Sequence, residues 1–214
     1  MLIEKIRKEI AILGREIAAC GFNLGTWGNI SARINDNSFA ITPSGIAYEL
    51  ITAEDIAIVD LTGKIIEANK KPSIELPLHS AIYKAKSNIN AIIHTHSVCC
   101  TAFAIARKPI PAVCEDMVQI VGGQVNVAEY FLPGSKELAE SAVIALGNKN
   151  ACILANHGLL AVADNLNEAY KIAQIVEKSA QAVIYANSLG GVVELSQSDI
   201  DFMRNFYLNK YGQR

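Results

Sequence analysis

The chain has 214 residues and a mass of 23.1 kDa. That suits one large domain of the usual ~100–200 residues, and 51% hydrophobic against 19% charged residues excludes a disordered polymer. Its 19 Lys and Arg nearly cancel 21 Asp and Glu, for a formal net charge of −2, which excludes the basic footprint of a nucleic-acid binder, and no stretch reaches the ~20 apolar residues that would span a bilayer.

Residues 2–20 set Leu2, Ile3, Ile6, Ile10, Leu13 and Ile17 at helical spacing, and Gly21 ends this amphipathic helix. Charges interrupt its apolar residues, so it does not read as a signal peptide and a cytoplasmic location is expected. The loop Asn23–Asn29 leads into short strand-like runs at Ile30–Ile34, Phe39–Thr42, Ile56–Asp60 and Lys64–Ile66, separated by turn chemistry such as Asn35-Asp-Asn37 and Pro43-Ser-Gly45. A helix over Glu75–Lys86 precedes a buried strand, Ala91–His96, and a helix over Ser97–Ala106. Strand-like runs recur at Val113–Val121 and Val125–Ala128. A helix at Ser135–Leu146, strands at Ala151–Leu154 and Gly158–Val162, and helices at Asn165–Leu189 and Ser196–Leu208 complete the pattern.

Helices and strands mix without regular alternation. The expectation is a single α+β domain over residues 1–214, with a mainly antiparallel sheet and helices packed around it. The five cysteines, Cys20, Cys99, Cys100, Cys114 and Cys152, are odd in number and include no C-x-x-C pair. Neither a disulfide framework nor a thiolate metal site is indicated, and most of them read as small buried hydrophobes.

The chemistry gathers around histidine. In Ala91-Ile-Ile-His94-Thr-His96 strand alternation puts His94 and His96 on one face. Two imidazoles on an apolar strand need polar partners, and a divalent metal is the simplest one that serves both. His157 follows the apolar run Ala151–Leu154 and is a candidate third ligand, which with an open position fits a catalytic metal site. His79 lies four residues after Glu75 on one helical face and reads as a structural hydrogen-bonding group. Glu75 opens a helix, where a carboxylate complements the dipole. It is also a candidate carboxylate near the metal, as ligand or general base.

A second group of residues favours anions. Gly25-Thr-Trp-Gly-Asn-Ile-Ser31, Thr42-Pro-Ser-Gly45 and Lys71-Pro-Ser73 offer hydroxyls and amides. Gly28 and Gly45 permit close backbone approach, and Ser73 stands before a helix N-terminus. Together these turns point to a phosphorylated small molecule.

These residues, with Tyr130-Phe-Leu-Pro-Gly-Ser135 and Asn156-His157-Gly158, form an ordered set through nearly the whole chain. The set resembles the class II aldolase/adducin-head family, most of all its L-fuculose-1-phosphate aldolase branch. The resemblance implies a mostly antiparallel sheet flanked by helices in three layers, and a homotetramer with active sites at subunit boundaries. It implies one Zn²⁺ per subunit, or another divalent metal, held by His94, His96, His157 and Glu75, with Glu75 then serving as acid/base. It also implies phosphate binding by Gly28, Asn29, Ser44, Gly45 and Ser73. The activity implied is cleavage of a ketose 1-phosphate into dihydroxyacetone phosphate and an aldehyde. Two features depart from the aldolase pattern: Ile74 replaces a second serine, and the place of a tyrosine contributed by a neighbouring subunit falls on Glu115 or Asp116. Tyr211 matches the aldolase's final aromatic. The related branches imply alternatives, an L-ribulose-5-phosphate 4-epimerase or a methylthioribulose-1-phosphate dehydratase. A non-catalytic adaptor of the adducin kind would lack the three histidines present here.

Overall fold

The computed structural model describes residues 2–212; Met1, Gln213 and Arg214 of the expected 1–214 domain lie outside the described residues. An eight-stranded sheet runs through the centre. Its strands are β1 (Asn29–Asn35), β2 (Ser38–Ile41), β3 (Ala57–Asp60), β4 (Ile65–Glu67), β5 (Ala91–Thr95), β6 (Asn126–Ala128), β7 (Ala151–Leu154) and β8 (Gly158–Ala163). The spatial order is β4-β3-β2-β1-β5-β8-β7-β6. Neighbours are antiparallel except β6 and β7, which run parallel. The expected mostly antiparallel sheet is therefore present.

Helices cover both faces. On one side α1 (Leu2–Ala19), α3 (Val98–Ala106), α4 (Glu115–Val121) and α6 (Leu166–Ser188) bury Ile10, Cys100, Met117 and Ile172 against Ile30, Ile93 and Leu159 of the sheet. On the other, α2 (Leu76–Ala85) and α5 (Lys136–Leu146) bury Leu78, Ile82, Leu138 and Leu146 against Phe39, Ile92 and Leu160. A last helix, α7 (Gln197–Lys210), packs through Ile200 on Val118 of α4. Among the described residues no helix is long and apolar enough to cross a membrane.

One expected strand is a helix. Residues 115–121 form α4 rather than part of a Val113–Val121 strand. Met117, Val118, Ile120 and Val121 are buried at spacings of one, three and four, which suit a helix as well as a short apolar strand. Glu115 and Asp116 in its first turn complement the helix dipole, and Gly122 takes the left-handed cap at φ 100°.

Strand β5 carries the site. Ala91 and Ile93 enter the α1/α3/α4/α6 core, whereas Ile92 enters the α2/α5 core. Sharing the parity of Ile92, His94 projects on the α2/α5 side of the sheet. The chain leaves β5 at His96 and enters α3, whose exposed first turn needs acceptors. The Glu177 carboxylate on α6 supplies them, accepting from Ser97 Oγ at 2.7 Å, Cys99 N–H at 2.8 Å and Cys100 N–H at 2.9 Å. Burial alone would push the carboxyl up, but these hydrogen bonds outweigh it and hold the carboxyl below the usual range. Glu177→Ala is expected to cost about 2 kcal/mol, because the N–H groups of α3 lose charged acceptors. The urea midpoint should fall with an unchanged slope, and Glu177→Gln should lie between the two. An unchanged midpoint would show that water replaces the carboxylate at no cost.

Candidate active site

Three turns converge at the end of β5. His94 lies within the strand, His96 just past it, and His157 in the tight connection between β7 and β8. That connection is sterically specified. Asn156 takes φ 55°, and a Cβ on Gly158 would stand 2.2 Å from the Thr95 carbonyl oxygen, so no larger residue lets the turn lie against β5. Glu75 closes the group from the other side, at the entry to α2, with its N–H donated to Ser73 Oγ at 3.2 Å.

The ring nitrogens face one another. His94 Nε2 lies 3.0 Å from His96 Nε2 and 3.1 Å from His157 Nε2. The hydrogen bond from His94 to the Leu159 carbonyl, 2.9 Å from Nδ1, fixes the proton on Nδ1, since a carbonyl only accepts. His94 Nε2 is thus a bare lone pair aimed at two other nitrogens. Burial, then the neighbouring imidazoles, holds His94 far below the ordinary histidine range, and burial with His157 draws His96 down to about 4. Burial also lowers His157, opposed by the nearby Glu75. Burial thus favours the neutral form of all three imidazoles, the form that can donate a lone pair to a metal.

Glu75 is 4% exposed, its Oε2 3.4 Å from His94 Nε2 and its Oε1 3.6 Å from His157 Nε2. Asn29 Nδ2 donates to Oε2 at 2.7 Å, whereas Oε1 is buried with no hydrogen-bond partner among the described residues. Buried carboxylate oxygens without partners are costly. Three imidazoles and an unsatisfied oxygen around one point are what a divalent cation resolves, and the His94, His96 and His157 ligand atoms all lie within 4.8 Å of one another.

Beside this point opens a cleft of about 270 Å³. Gly28, Asn29, Ser44, Gly45 and Ser73 line it together with Glu75, His96 and His157. The isolated bridge between Pro43 and Pro72 and the hydrogen bond from Ser44 N–H to the Lys71 carbonyl at 2.8 Å bring two of the hydroxyl-bearing turns side by side. Ile74, Trp27 and Pro133 complete the wall. All five residues expected to bind phosphate therefore share one cleft with Glu75.

Residues 8–184 match the family described as Class II Aldolase and Adducin N-terminal domain. The chain belongs to this family. It is 35% identical over its full length to the 5-deoxy-D-ribulose 1-phosphate aldolase of Bacillus thuringiensis serovar kurstaki, all of which is covered. Over 83% of the chain and 81% of the relative it is 38% identical to the L-fuculose phosphate aldolase of Escherichia coli K12. Among solved structures an L-fuculose 1-phosphate aldolase superposes with a TM-score of 0.92 at 35% identity, covering 95% of this chain and 96% of that one. With relatives of this kind over its whole length, the chain is an enzyme of the class II aldolase type.

The remaining residues expected in this aldolase site stand apart. Glu115 is exposed, Asp116 pairs with Lys178 and accepts from Met117 N–H at 3.0 Å, and Tyr211 stacks on Tyr207 with ring centroids 5.4 Å apart. None of the three lines the cleft within the subunit. Conversely, the class II aldolase site depends on residues that sequence patterns did not mark. Asn23, 1% exposed, accepts from His96 N–H at 3.0 Å and donates toward the His94 carbonyl at 3.5 Å, so one amide pins both ligand-bearing positions. Gly28 makes room for it, because a Cβ there would come within 2.3 Å of the Asn23 amide. Trp27 stacks on His96 at 6.2 Å. An Asn beside a Gly-rich loop is the only local signal for any of these.

His79 is fully buried, and burial draws it down to about 3. The unfolded chain protonates it below about 6.5, so this depressed value contributes stability that is lost as pH falls from about 6.5 toward 3, at ~1.4 kcal/mol per unit. Urea unfolding of the metal-free enzyme should therefore weaken between pH 6.5 and 4.5. In His79→Gln the slope should be smaller by about that ~1.4 kcal/mol per unit. Equal slopes in the two proteins would mean that His79 charges in place.

Proposed function

We propose that the protein is a zinc-dependent class II aldolase that cleaves a ketose 1-phosphate into dihydroxyacetone phosphate and an aldehyde. The observation that carries this reading is the partnerless Glu75 Oε1 facing three imidazole nitrogens beside a cleft lined by Ser44, Gly45 and Ser73. Retro-aldol cleavage leaves an enediolate whose charge must be stabilised, and zinc held by His94, His96 and His157 supplies Lewis acidity for that purpose. Ser44, Gly45, Ser73 and the backbone at Gly28 hold the phosphate away from the reacting bond and so orient the substrate. Glu75, a zinc ligand at rest, delivers the proton to the enediolate carbon. A second group must take the proton of the hydroxyl whose carbon becomes the aldehyde.

Because Glu115, Asp116 and Tyr211 do not line the cleft of their own subunit, that second group comes in this reading from a neighbour in a homotetramer. Exposed apolar residues such as Val98 (74%), Ile144 (80%) and Leu132 (69%) support burial between subunits. The aldehyde portion of the substrate is the part that separates the relatives' sugars.

The reading is tested with purified protein and L-fuculose, L-rhamnulose and 5-deoxyribulose 1-phosphates, coupled to detection of triose phosphate. At least one should be cleaved by protein carrying one zinc per subunit, and chelation should abolish cleavage. His94→Ala and His96→Ala should remain folded yet lose zinc and turnover. Absence of triose phosphate from all three sugars would sink the proposal.

Glu75 and the acidic pair are separable. Glu75→Gln should lose both cleavage and the exchange of a dihydroxyacetone phosphate proton with solvent deuterium. Glu115→Gln or Asp116→Asn should slow cleavage while the exchange survives. General acid–base groups contribute about 10²–10⁴-fold, so either loss is well within measurement. Exchange persisting in Glu75→Gln would take the enediolate proton from that residue, and full activity in both acidic-pair variants would leave Tyr211 as the group that serves the aldehyde oxygen.

A further inference from the structure

A file of buried hydrogen bonds enters the Glu75 carboxylate from behind, and the direction of each can be read. Asn29 Nδ2 donates to Glu75 Oε2 at 2.7 Å, so its Oδ1 is the atom that faces His79 Nε2 at 2.5 Å. An amide oxygen only accepts, which places the imidazole hydrogen on Nε2. His79 is fully buried and neutral, and its bare Nδ1 therefore accepts from Ser31 Oγ at 2.6 Å. The Ser31 oxygen in turn accepts from the Tyr83 hydroxyl at 2.8 Å. Behind Tyr83, Arg33 lies 4.7 Å from the ring centroid and donates to the Tyr83 carbonyl at 2.8 Å. Ser31, Asn29 and Tyr83 are at most 2% exposed, so water does not compete for these groups. Every hydrogen in the file, from Tyr83 through Ser31, His79 and Asn29, points toward the carboxylate.

We propose that His79 is a positioning residue: its Nε2–H locks the Asn29 amide with the N–H edge toward Glu75, and so fixes the orientation of that carboxylate. Without the Nε2–H donor, the Asn29 amide is free to turn over. Its oxygen then meets a carboxylate oxygen, two acceptors with no hydrogen between them, and Glu75 swings away from its place between the cleft and the imidazoles. The kinetic consequence rests on Glu75 being the proton carrier proposed above, whereas the tautomer of His79 does not.

Two measurements test the inference. The first is the ring ¹⁵N spectrum of His79 in the wild-type, metal-free protein, where a neutral Nε2–H tautomer is expected; an Nδ1–H tautomer would reverse the file and overturn the proposal. This result is independent of any variant's folding and of the aldolase reading. The second compares His79→Gln with His79→Asn, each checked for thermal unfolding and bound zinc. The glutamine amide reaches the place of Nε2 and keeps the donor to Asn29, whereas the asparagine amide reaches only the place of Nδ1. His79→Gln should turn over at nearly the wild-type rate. Assayed with zinc in excess, His79→Asn should lose about 10- to 100-fold in kcat, with KM unchanged. Equal losses in both variants, or a loss that follows KM, would assign His79 a packing role and overturn the proposal. A wild-type enzyme that cleaves none of the sugars would remove the aldolase reading while leaving the tautomer to decide the positioning.

Discussion

Everything around the site answers one electrostatic constraint. Three neutral imidazoles and a carboxylate stand together where, among the described residues, no protein donor satisfies the buried Glu75 Oε1. Such a cluster exists only because the surrounding chain leaves it no alternative. Gly158 has no side chain to hold the His157 turn away from β5. Asn23 fixes the backbone at both His94 and His96. Glu177 anchors α3 directly after them. Each of these interactions is ordinary in strength, about 1–3 kcal/mol, and together they bring the three imidazoles and Glu75 to one point.

The parts visible in the sequence are those whose logic is local. Alternation along Ala91–His96 places two histidines on one face, and the structure puts His94 and His96 nitrogens 3.0 Å apart. Turn chemistry at Gly28, Gly45 and Ser73 marks backbone that can approach a ligand, and these residues meet in one cleft. What the pattern hides is long range. Glu177 reads as one charge on an amphipathic helix, and only folding brings it to the N-terminus of α3, about eighty positions back along the chain. The run at 115–121 is equally readable as strand or helix, because four buried residues in seven fit either period. Packing against α6 and α7 decides for the helix.

The cleft divides its work by chemistry. At one end soft nitrogen lone pairs and a carboxylate suit a divalent metal, and at the other hydroxyls and glycine backbone suit an anion. Ile74, which stands where the resembling aldolases have a second serine, adds an apolar, 66% exposed surface to this wall. The side chain at that position therefore offers no hydroxyl to an anion.

Two histidines on opposite sides of the Glu75 hydrogen-bond network, His94 and His79, are set in opposite tautomers. The Leu159 carbonyl holds the proton of His94 on Nδ1, so that its Nε2 lone pair faces the cluster. The Asn29 amide oxygen holds the proton of His79 on Nε2, so that donors rather than acceptors run toward the carboxylate. Exchange of these tautomers would aim an N–H at the metal position and a lone pair at Asn29, and both ends of the site would fail together. In each ring the choice is made by a neutral oxygen acceptor, the Leu159 carbonyl for His94 and the Asn29 amide for His79, and burial disfavours a second proton on either ring. The same residue type thus presents a lone pair to the cluster in one place and a hydrogen in the other. What distinguishes them is which nitrogen meets the fixed oxygen: for His94 a carbonyl at the far edge of the sheet pairing, for His79 an amide that itself leans on Glu75.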